Sequence, residues 1–232
     1  MAVLVMQPLL GIGAYTAGEA SRLTGISAPR LRRWLTGYHY QLDERSAEQP
    51  PLWAPQHNVG DALTLGFRDL IEARFVNAFV NAGLSLFSIR QLLSHARDVV
   101  GDAHPLSTKQ FQTDGRTLFL EVWKDDEAGL IDLKNGQRAF HSVIKPSFKD
   151  LEFEHDAVSK WYIAGIGRPI VVDPAVAFGQ PTLKGTGIPT VRLAEAVKAE
   201  GGDEALVARQ FDVPVAYVRQ AMTFERGLKK AA

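Results

Sequence analysis

The sequence predicts a protein of the α+β class, with helical segments at both ends and a small sheet between them. Three observations support this class. Apolar residues recur at helical spacing in several stretches between residues 15 and 100. Residues 105–172 contain short runs typical of strands. A string rich in glycine and proline, residues 171–190, is then followed by three further helical stretches.

The first helix is predicted to begin near Ala17, because Thr16 and Glu19 have the spacing of a capping box. In this motif each side chain accepts a hydrogen bond from the backbone N–H of the other residue. Gly25 can adopt the positive φ that ends a helix, and Ser27 is a suitable N-cap for a second helix. We therefore expect two short helices joined by a tight turn.

The second helix is predicted to have an arginine-rich outer face. Its apolar residues fall at i, i+3 and i+4 and should pack inward: Leu31, Trp34 and Leu35. This arrangement leaves Arg30 and Arg33 on an outer flank, with Arg32 beside them. A short, rigid helix with such a face fits the major groove of DNA.

The distribution of charge requires any nucleic-acid contact to be local. The chain has 26 basic and 26 acidic residues, so its net charge is zero and it offers no bulk attraction to a polyanion. The first 40 residues differ, because they hold four arginines and a single glutamate. The candidate DNA contacts are Thr16, Arg22, Ser27, Arg30, Arg32, Arg33, Tyr38 and His39.

These candidates have different expected roles. Arginine can bond guanine O6 and N7 together, so Arg30 or Arg33 is the candidate for base recognition. Arg32 is the better candidate for a phosphate contact. Tyr38 and His39 could contact the DNA backbone or close the protein core, and the sequence favours neither role.

The segment 41–58 is polar and contains three prolines, which exclude a central strand. An edge hairpin, or wing, anchored by Trp53 is expected instead. Helical spacing returns from Leu65, with Gly83 closing that helix, and Ser85 is placed to cap the next one, which ends before Gly101.

This order of elements resembles the winged helix-turn-helix domain of MerR-like regulators. The runs that carry the resemblance are Tyr15-Thr16, Thr24-Gly25-Ile26-Ser27, Leu31-Arg32-Arg33-Trp34 and residues 82–90. The resemblance implies a DNA-binding domain over residues 13–104 and a backbone-contacting arginine at Arg32. MerR-type regulators usually continue into a long dimerising coiled coil, whereas the helical pattern here ends before Pro105.

Residues 105–172 are predicted to form a small α+β module for linking or dimerisation. Asp114-Gly115 is typical of a hairpin turn and precedes an alternating run at residues 117–123. Apolar spacing predicts a short helix at residues 138–148. Three further strands are expected in an antiparallel or mixed sheet: Leu130–Leu133, Leu151–Glu154 and Ile170–Val172.

Residues 173–232 are predicted to form a domain of three helices: Val191–Ala199, Asp203–Phe211 and Pro214 to about Arg226. The short link before Pro214 makes the last two a second helix-turn-helix candidate. Its charges are of both signs, which favours a protein-interaction role over DNA binding.

The same region resembles a small bacterial domain found in antitoxins. The matching positions are Pro174, Phe178-Gly179-Gln180-Pro181, Gly185-Thr186-Gly187-Ile188-Pro189, Val207-Ala208 and Val218-Arg219-Gln220-Ala221. Together, the two resemblances point to VapB-type antitoxins. They imply a protein that binds operator DNA, represses its own operon and neutralises a PIN-like ribonuclease toxin. The candidate toxin contacts are Lys184, Arg192, Arg226, Lys229 and Lys230.

No enzymatic or cofactor motif is recognisable. The six histidines include no pair at i, i+4, and the chain has no cysteine, so neither a metal site nor a cofactor is expected. The two Gly-Ile-Gly runs lack the rest of a nucleotide-binding loop. The first ten residues lack a basic start, and no apolar run reaches the roughly 20 residues of a membrane span, so a cytoplasmic location is expected.

Two questions stay open at this level. A stand-alone regulator that senses a small molecule through residues 105–172 is an alternative to the antitoxin. A homodimer, or a larger complex with the toxin, is expected because paired half-sites suit helix-turn-helix readers.

Overall fold

The computed structural model describes residues 11–42, 45–57, 63–125, 137–138 and 140–230. Its first half contains β1 (Tyr15–Thr16), α1 (Ala17–Thr24), α2 (Ala28–Thr36), β2 (Tyr38–Leu42), β3 (Arg45–Gln49), β4 (Thr64–Leu65), α3 (Phe67–Asn81) and α4 (Leu86–Val100). Strand β1 pairs with β4, and β2 pairs with β3. The predicted order of helix, turn, helix, wing, helix and helix is confirmed.

Capping contacts fix the ends of α1 as the sequence predicts. Thr16 N–H donates to Glu19 Oε2 at 2.8 Å, and Glu19 N–H donates to Thr16 Oγ1 at 3.2 Å. Gly25 follows the helix with a φ of 72°. Ser27 occupies the N-cap position of α2, but its hydroxyl makes no capping bond there.

The wing begins earlier than predicted. Its two strands span residues 38–49, and Tyr38 pairs with Gln49 at the base of the hairpin. The prolines of segment 41–58 follow the hairpin, because a residue without an N–H cannot continue the ladder. Trp53 is buried beyond the hairpin, as an aromatic anchor should be.

The predicted hairpin at Asp114-Gly115 and the strand at residues 117–123 are wrong. This region is a single helix, α5 (Lys109–Asp125). Leu118 and Phe119 are adjacent and both buried, which a half-buried strand does not allow. Gly115 serves packing rather than a turn, because a Cβ there would lie 3.0 Å from the ring of Phe111.

The helical prediction at residues 138–148 is confirmed with a local variation. Residues Phe140–Ile144 form a π-helical turn, which leads into the short helix α6 (Lys145–Phe148). The predicted strand Leu130–Leu133 lies outside the described residues.

A four-stranded antiparallel sheet follows in the order β5-β6-β7-β8. Its strands are β5 (Leu151–Glu154), β6 (Ala157–Trp161), β7 (Ile170–Val172) and β8 (Pro181–Leu183). Two of these, β5 and β7, are confirmed predictions. Strand β8 begins with a proline and is short, so nothing in its sequence marked it as a strand. Because β7 pairs with β8, the sheet crosses the predicted boundary at 172/173.

The carboxyl-terminal helices are confirmed as α7 (Thr190–Ala199), α8 (Glu204–Gln210) and α9 (Val215–Lys230). They share an apolar core that includes Leu193, Val207 and Val218, all fully buried. A larger core joins the first half of the chain to α5, the π-helical turn and the sheet. The division into domains at 13–104, 105–172 and 173–232 stays a prediction. None of the described helices has the length and apolar character needed to cross a bilayer.

Tyr15 is buried, and it joins the first half of the chain to the segment around Gly179. Its hydroxyl donates to Gly179 O at 2.7 Å, and Ala14 N–H donates to Phe178 O at 3.2 Å. Ala177, Phe178 and Gly179 all have positive φ, at 47°, 55° and 82°. The side chain of Phe178 is exposed, so the backbone bonds with Tyr15 and Ala14 are what hold this strained segment. Burial raises the pKa of the Tyr15 hydroxyl. The negative charges of Glu19 and Asp173 raise this pKa further, by a smaller amount.

A second buried feature is the carboxyl group of Glu72 on α3. Ser107 N–H donates to its Oε1 at 2.9 Å, while its Oε2 has no hydrogen-bond partner among the described residues. Burial raises the pKa of Glu72 to about 7, against the lowering effects of His104, Ser107 and Arg68. Compared with the unfolded chain, the folded state therefore favours the protonated carboxyl of Glu72.

We expect Gly179→Ala to destabilise the fold more than Gly185→Ala. Both glycines have positive φ, at 82° and 78°, so both substitutions carry the same backbone cost. A Cβ at 179 would also lie 2.1 Å from the Tyr15 hydroxyl, whereas one at 185 meets nothing within 4 Å. Chemical denaturation should show an extra loss of about 1–2 kcal/mol for Gly179→Ala. Equal losses would show that the contact with Tyr15 adds nothing.

We expect Glu72→Gln to reduce the pH dependence of stability. Between its unfolded pKa near 4.5 and its folded pKa of about 7, Glu72 binds more protons in the folded state. Its contribution to the free energy of unfolding is therefore complete below pH 4.5 and falls as the pH rises to 7. Denaturation at acidic and at mildly alkaline pH should show the wild type losing roughly 3 kcal/mol more than the variant. Parallel pH profiles would refute this assignment.

Candidate nucleic-acid interface

The outer face of α2 presents the predicted arginines to solvent. Arg30, Arg32 and Arg33 are all exposed, while the opposite face of the helix is buried. Leu52 N–H donates to Trp34 O at 2.7 Å, so the segment after the wing holds the end of α2 in place. The buried face of α2 is thus held by the rest of the domain, while its arginine face is open to solvent. This arrangement suits insertion into a DNA groove.

The wing and α2 meet through Arg33 and Tyr38. The guanidinium carbon of Arg33 lies 3.6 Å from the centroid of the Tyr38 ring. This cation–π contact limits the positions of Arg33 while leaving its N–H groups at the surface. Tyr38 is partly buried, whereas His39 is exposed and pairs with Glu48 across the hairpin.

The other candidates have more varied surroundings. The Thr16 hydroxyl donates to Glu19 Oε2 at 2.8 Å, so it serves the capping box. Arg22 is exposed in the last turn of α1, and Arg30 approaches Asn77 Oδ1 at 3.5 Å. Ser27 is exposed at the start of α2, where N–H groups of a helix can receive a phosphate.

A buried carboxylate that the sequence analysis missed supports this surface. Asp69 accepts bonds from Trp53 Nε1, Gln56 N–H, Gly66 N–H and His104 Nε2, at 2.7–2.9 Å. The sequence offered one signal for this site: Asp69 is an acidic residue among the apolar residues of a predicted helix. Its partners come from three separate segments, which no local pattern reveals.

Two arginines of α4 also hold the segment that follows the wing. Arg90 donates to Pro50 O at 2.6 Å and to Pro51 O at 3.1 Å. Arg97 donates to Leu52 O at 3.3 Å. These bonds fix the position of the wing relative to α2, because the same segment contacts both.

The candidate toxin contacts lie on different parts of the second half. Lys184 lines a cavity of about 520 Å³ and lies 4.9 Å from the ring centroid of Tyr162. Arg192 is exposed on α7, and Arg226 and Lys229 are exposed near the end of α9. The side chain of Lys230 lies outside the part of the chain that the structure describes. The end of α9 borders another groove, of about 590 Å³, which also contains Leu23 of α1.

Two of the charged side chains in the cavity beside Lys184, Glu152 and Lys160, form an ion pair. Lys160 Nζ donates to Glu152 Oε1 at 2.6 Å, and the Tyr162 hydroxyl donates to Glu152 Oε2. The bonds from Lys160 and Tyr162 lower the pKa of Glu152. Within the described ranges, no cluster of three or more histidine or acidic side chains is placed to hold a metal ion.

Comparisons with known families agree with this arrangement. Residues 13–93 match a family described as "Putative DNA-binding HTH domain". Residues 170–224 match another, described as "Protein of unknown function (DUF433)". The α+β class, with a helix-turn-helix at the amino terminus and a helical domain at the carboxyl terminus, is confirmed.

A curated relative covers nearly the whole chain. It is "Putative antitoxin VapB45" of Mycobacterium tuberculosis, 27% identical over 224 residues, which span 90% of this chain and 92% of the relative. This chain is a homologue of that protein. A crystal structure of Rv2018 from Mycobacterium tuberculosis has a TM-score of 0.68 at 22% identity and covers 93% of this chain and 98% of that one. The latter likeness establishes a shared fold.

We expect Arg32→Ala to weaken DNA binding on every sequence and to reduce the salt dependence. Loss of one phosphate contact should lower the slope of log affinity against log salt by about one unit. Fluorescence anisotropy with the DNA upstream of the gene, and with a scrambled duplex, would measure this. Arg209→Ala, which removes an exposed arginine from α8, is the matched control. An unchanged slope would exclude Arg32 from the phosphate contacts.

Proposed function

We propose that this protein is a DNA-binding antitoxin, which neutralises a PIN-like ribonuclease toxin and represses its own operon. The observation that carries the proposal is that one chain matches two families. One match is a putative DNA-binding helix-turn-helix domain at residues 13–93, and the other is a family of unknown function at residues 170–224. A relative named as an antitoxin matches this chain along 92% of that relative's length.

The DNA-binding part of the proposal rests on the geometry of α2 and the wing. Arg30 and Arg33 lie on one flank of the helix and supply guanine-reading groups, with Arg33 held over Tyr38. Arg32 and Ser27 contact phosphates, and Arg22 extends the positive surface onto α1. Such contacts give a local attraction that the neutral chain as a whole does not have.

The toxin-binding part is assigned to the carboxyl-terminal domain. Its helix-turn-helix surface carries charges of both signs, and one of its arginines is paired, since Arg219 Nε donates to Glu204 Oε2 at 2.7 Å. A surface with paired charges binds phosphate poorly and suits a protein partner.

Within that domain, the end of α9 is the best candidate for inhibition. A PIN-like active site holds Mg²⁺ on carboxylates, so a basic segment placed over it would exclude the RNA phosphate. Arg226 and Lys229 are exposed one turn apart and form no ion pair among the described residues. Lys184 is less available, because it packs over Tyr162 beside the paired Glu152.

A stand-alone regulator that senses a small molecule is the rival function. A cavity in the 105–172 region, lined by Arg116, Lys145 and Lys149, favours it. The two functions differ in whether a protein partner is required, and they can share the same DNA reader and the same dimeric assembly.

Co-expression with the adjacent reading frame should test the antitoxin function. The wild type is expected to co-purify with the partner, restore growth and suppress ribonuclease activity. Arg226→Ala/Lys229→Ala should restore growth less well while binding DNA normally, because only the inhibitory segment is altered. Lys109→Ala/Arg138→Ala removes the same charge from exposed positions outside the carboxyl-terminal domain and is the control. Absence of both co-purification and rescue would reject the toxin partner.

A further inference from the structure

A basic cavity lies between α5 and the helical segment that follows it. Its volume is about 370 Å³, and its lining includes four basic side chains: Arg116, His141, Lys145 and Lys149. Phe140 and Phe148 form an apolar floor, and Gln112 and Thr113 contribute polar groups. No carboxylate is among the described lining residues. A cavity of this size falls within the range of small-molecule sites.

The basic groups of this cavity are not neutralised by described neighbours. Ion pairs elsewhere in the described chain engage Arg68 with Asp102, Lys160 with Glu152 and Arg219 with Glu204. The four cavity residues form no such pair. The nearest acidic residue in sequence, Asp150, acts on Arg74: burial lowers the pKa of Arg74, and the charge of Asp150 opposes that shift. An exposed cluster of like charges costs free energy unless an anion balances it.

The cavity is built on a rigid aromatic base. The Phe148 ring centroid lies 4.6 Å from that of Phe75, and the Phe140 centroid lies 5.7 Å from that of Phe119. The π-helical turn Phe140–Ile144 places His141 and Phe140 at the cavity. Turns of this kind are less stable than an α-helix and occur frequently at functional sites.

The cavity and the recognition helix lie on different sides of α3. Asn77 of α3 approaches Arg30 of α2, whereas Phe75 packs against Phe111 and Phe148 beneath the cavity. Residues two apart on a helix differ by about 200° in direction. A duplex seated on α2 therefore does not cover the cavity of the same protomer, and the basic groups need a different ligand.

We propose that this cavity binds the phosphate groups of a small ligand, with the apolar floor taking part of the ligand's body. Arg116 supplies the planar fork that bonds two phosphate oxygens together, and Lys145 and Lys149 supply point charges around it. His141 and Gln112 complete the set of donors. The three permanent charges of Arg116, Lys145 and Lys149 match a diphosphate better than a single carboxylate. The site lies outside both matched family regions, residues 13–93 and 170–224.

The site is tested by calorimetric titration of the full chain with inorganic pyrophosphate at physiological salt. We expect saturable binding of one pyrophosphate per chain, and at least about a tenfold loss of affinity in Arg116→Gln/Lys145→Gln. Lys198→Gln/Arg209→Gln, which removes equal charge from exposed positions on α7 and α8, should bind as the wild type does. Circular dichroism checks folding, and Lys149→Gln alone serves if the double variant does not fold.

Three results would overturn the proposal. One is the absence of saturable binding by the wild type. Another is an equal loss of affinity in both double variants, since that would indicate charge attraction without a site. The third is displacement of pyrophosphate by duplex DNA together with weaker DNA binding by Arg116→Gln/Lys145→Gln, which would make the cavity part of a DNA-backbone surface.

Discussion

The buried carboxylate of Asp69 is the constraint on which the amino-terminal half depends. It is fully buried, and its two oxygens accept four bonds that join the segment after the wing, the start of α3 and the turn after α4. Burial of a carboxylate is costly unless its acceptors are satisfied, so this arrangement tolerates few alternatives. It fixes the wing against α3, and α2 takes its position from the same segment through Leu52 and Trp34.

The two candidate binding surfaces, the α2 face and the carboxyl-terminal helices, differ in their charge. The α2 face has exposed arginines in a chain of zero net charge, which localises attraction to a polyanion. The carboxyl-terminal helices carry charges of both signs, some of them paired, and suit a protein. Tyr15 joins the two halves through Gly179, so the DNA reader and the second domain meet at a strained, glycine-dependent contact.

Local patterns predicted the elements whose signals lie within one turn or one helix. The capping box at Thr16, the glycine after α1 and the apolar stripe of α2 were all confirmed, because each depends on residues close in sequence. The failure at α5 has a physical cause. Asp-Gly is typical of a hairpin, but Gly115 lies against Phe111, and Phe119 stacks on Phe79 of α3 at 5.7 Å. Tertiary packing outweighed the turn propensity there.

The sequence by itself determined the α+β class, the arginine face of α2 and the helices of the carboxyl-terminal domain, because periodicity and caps are local properties. Only the tertiary structure decided where separate segments meet. It placed Arg33 over Tyr38, four N–H groups around Asp69, and basic residues from α5 and the following helical segment around one cavity. Most of these contacts join residues far apart in the chain, and they depend on how separate segments pack together, which a one-dimensional pattern does not record.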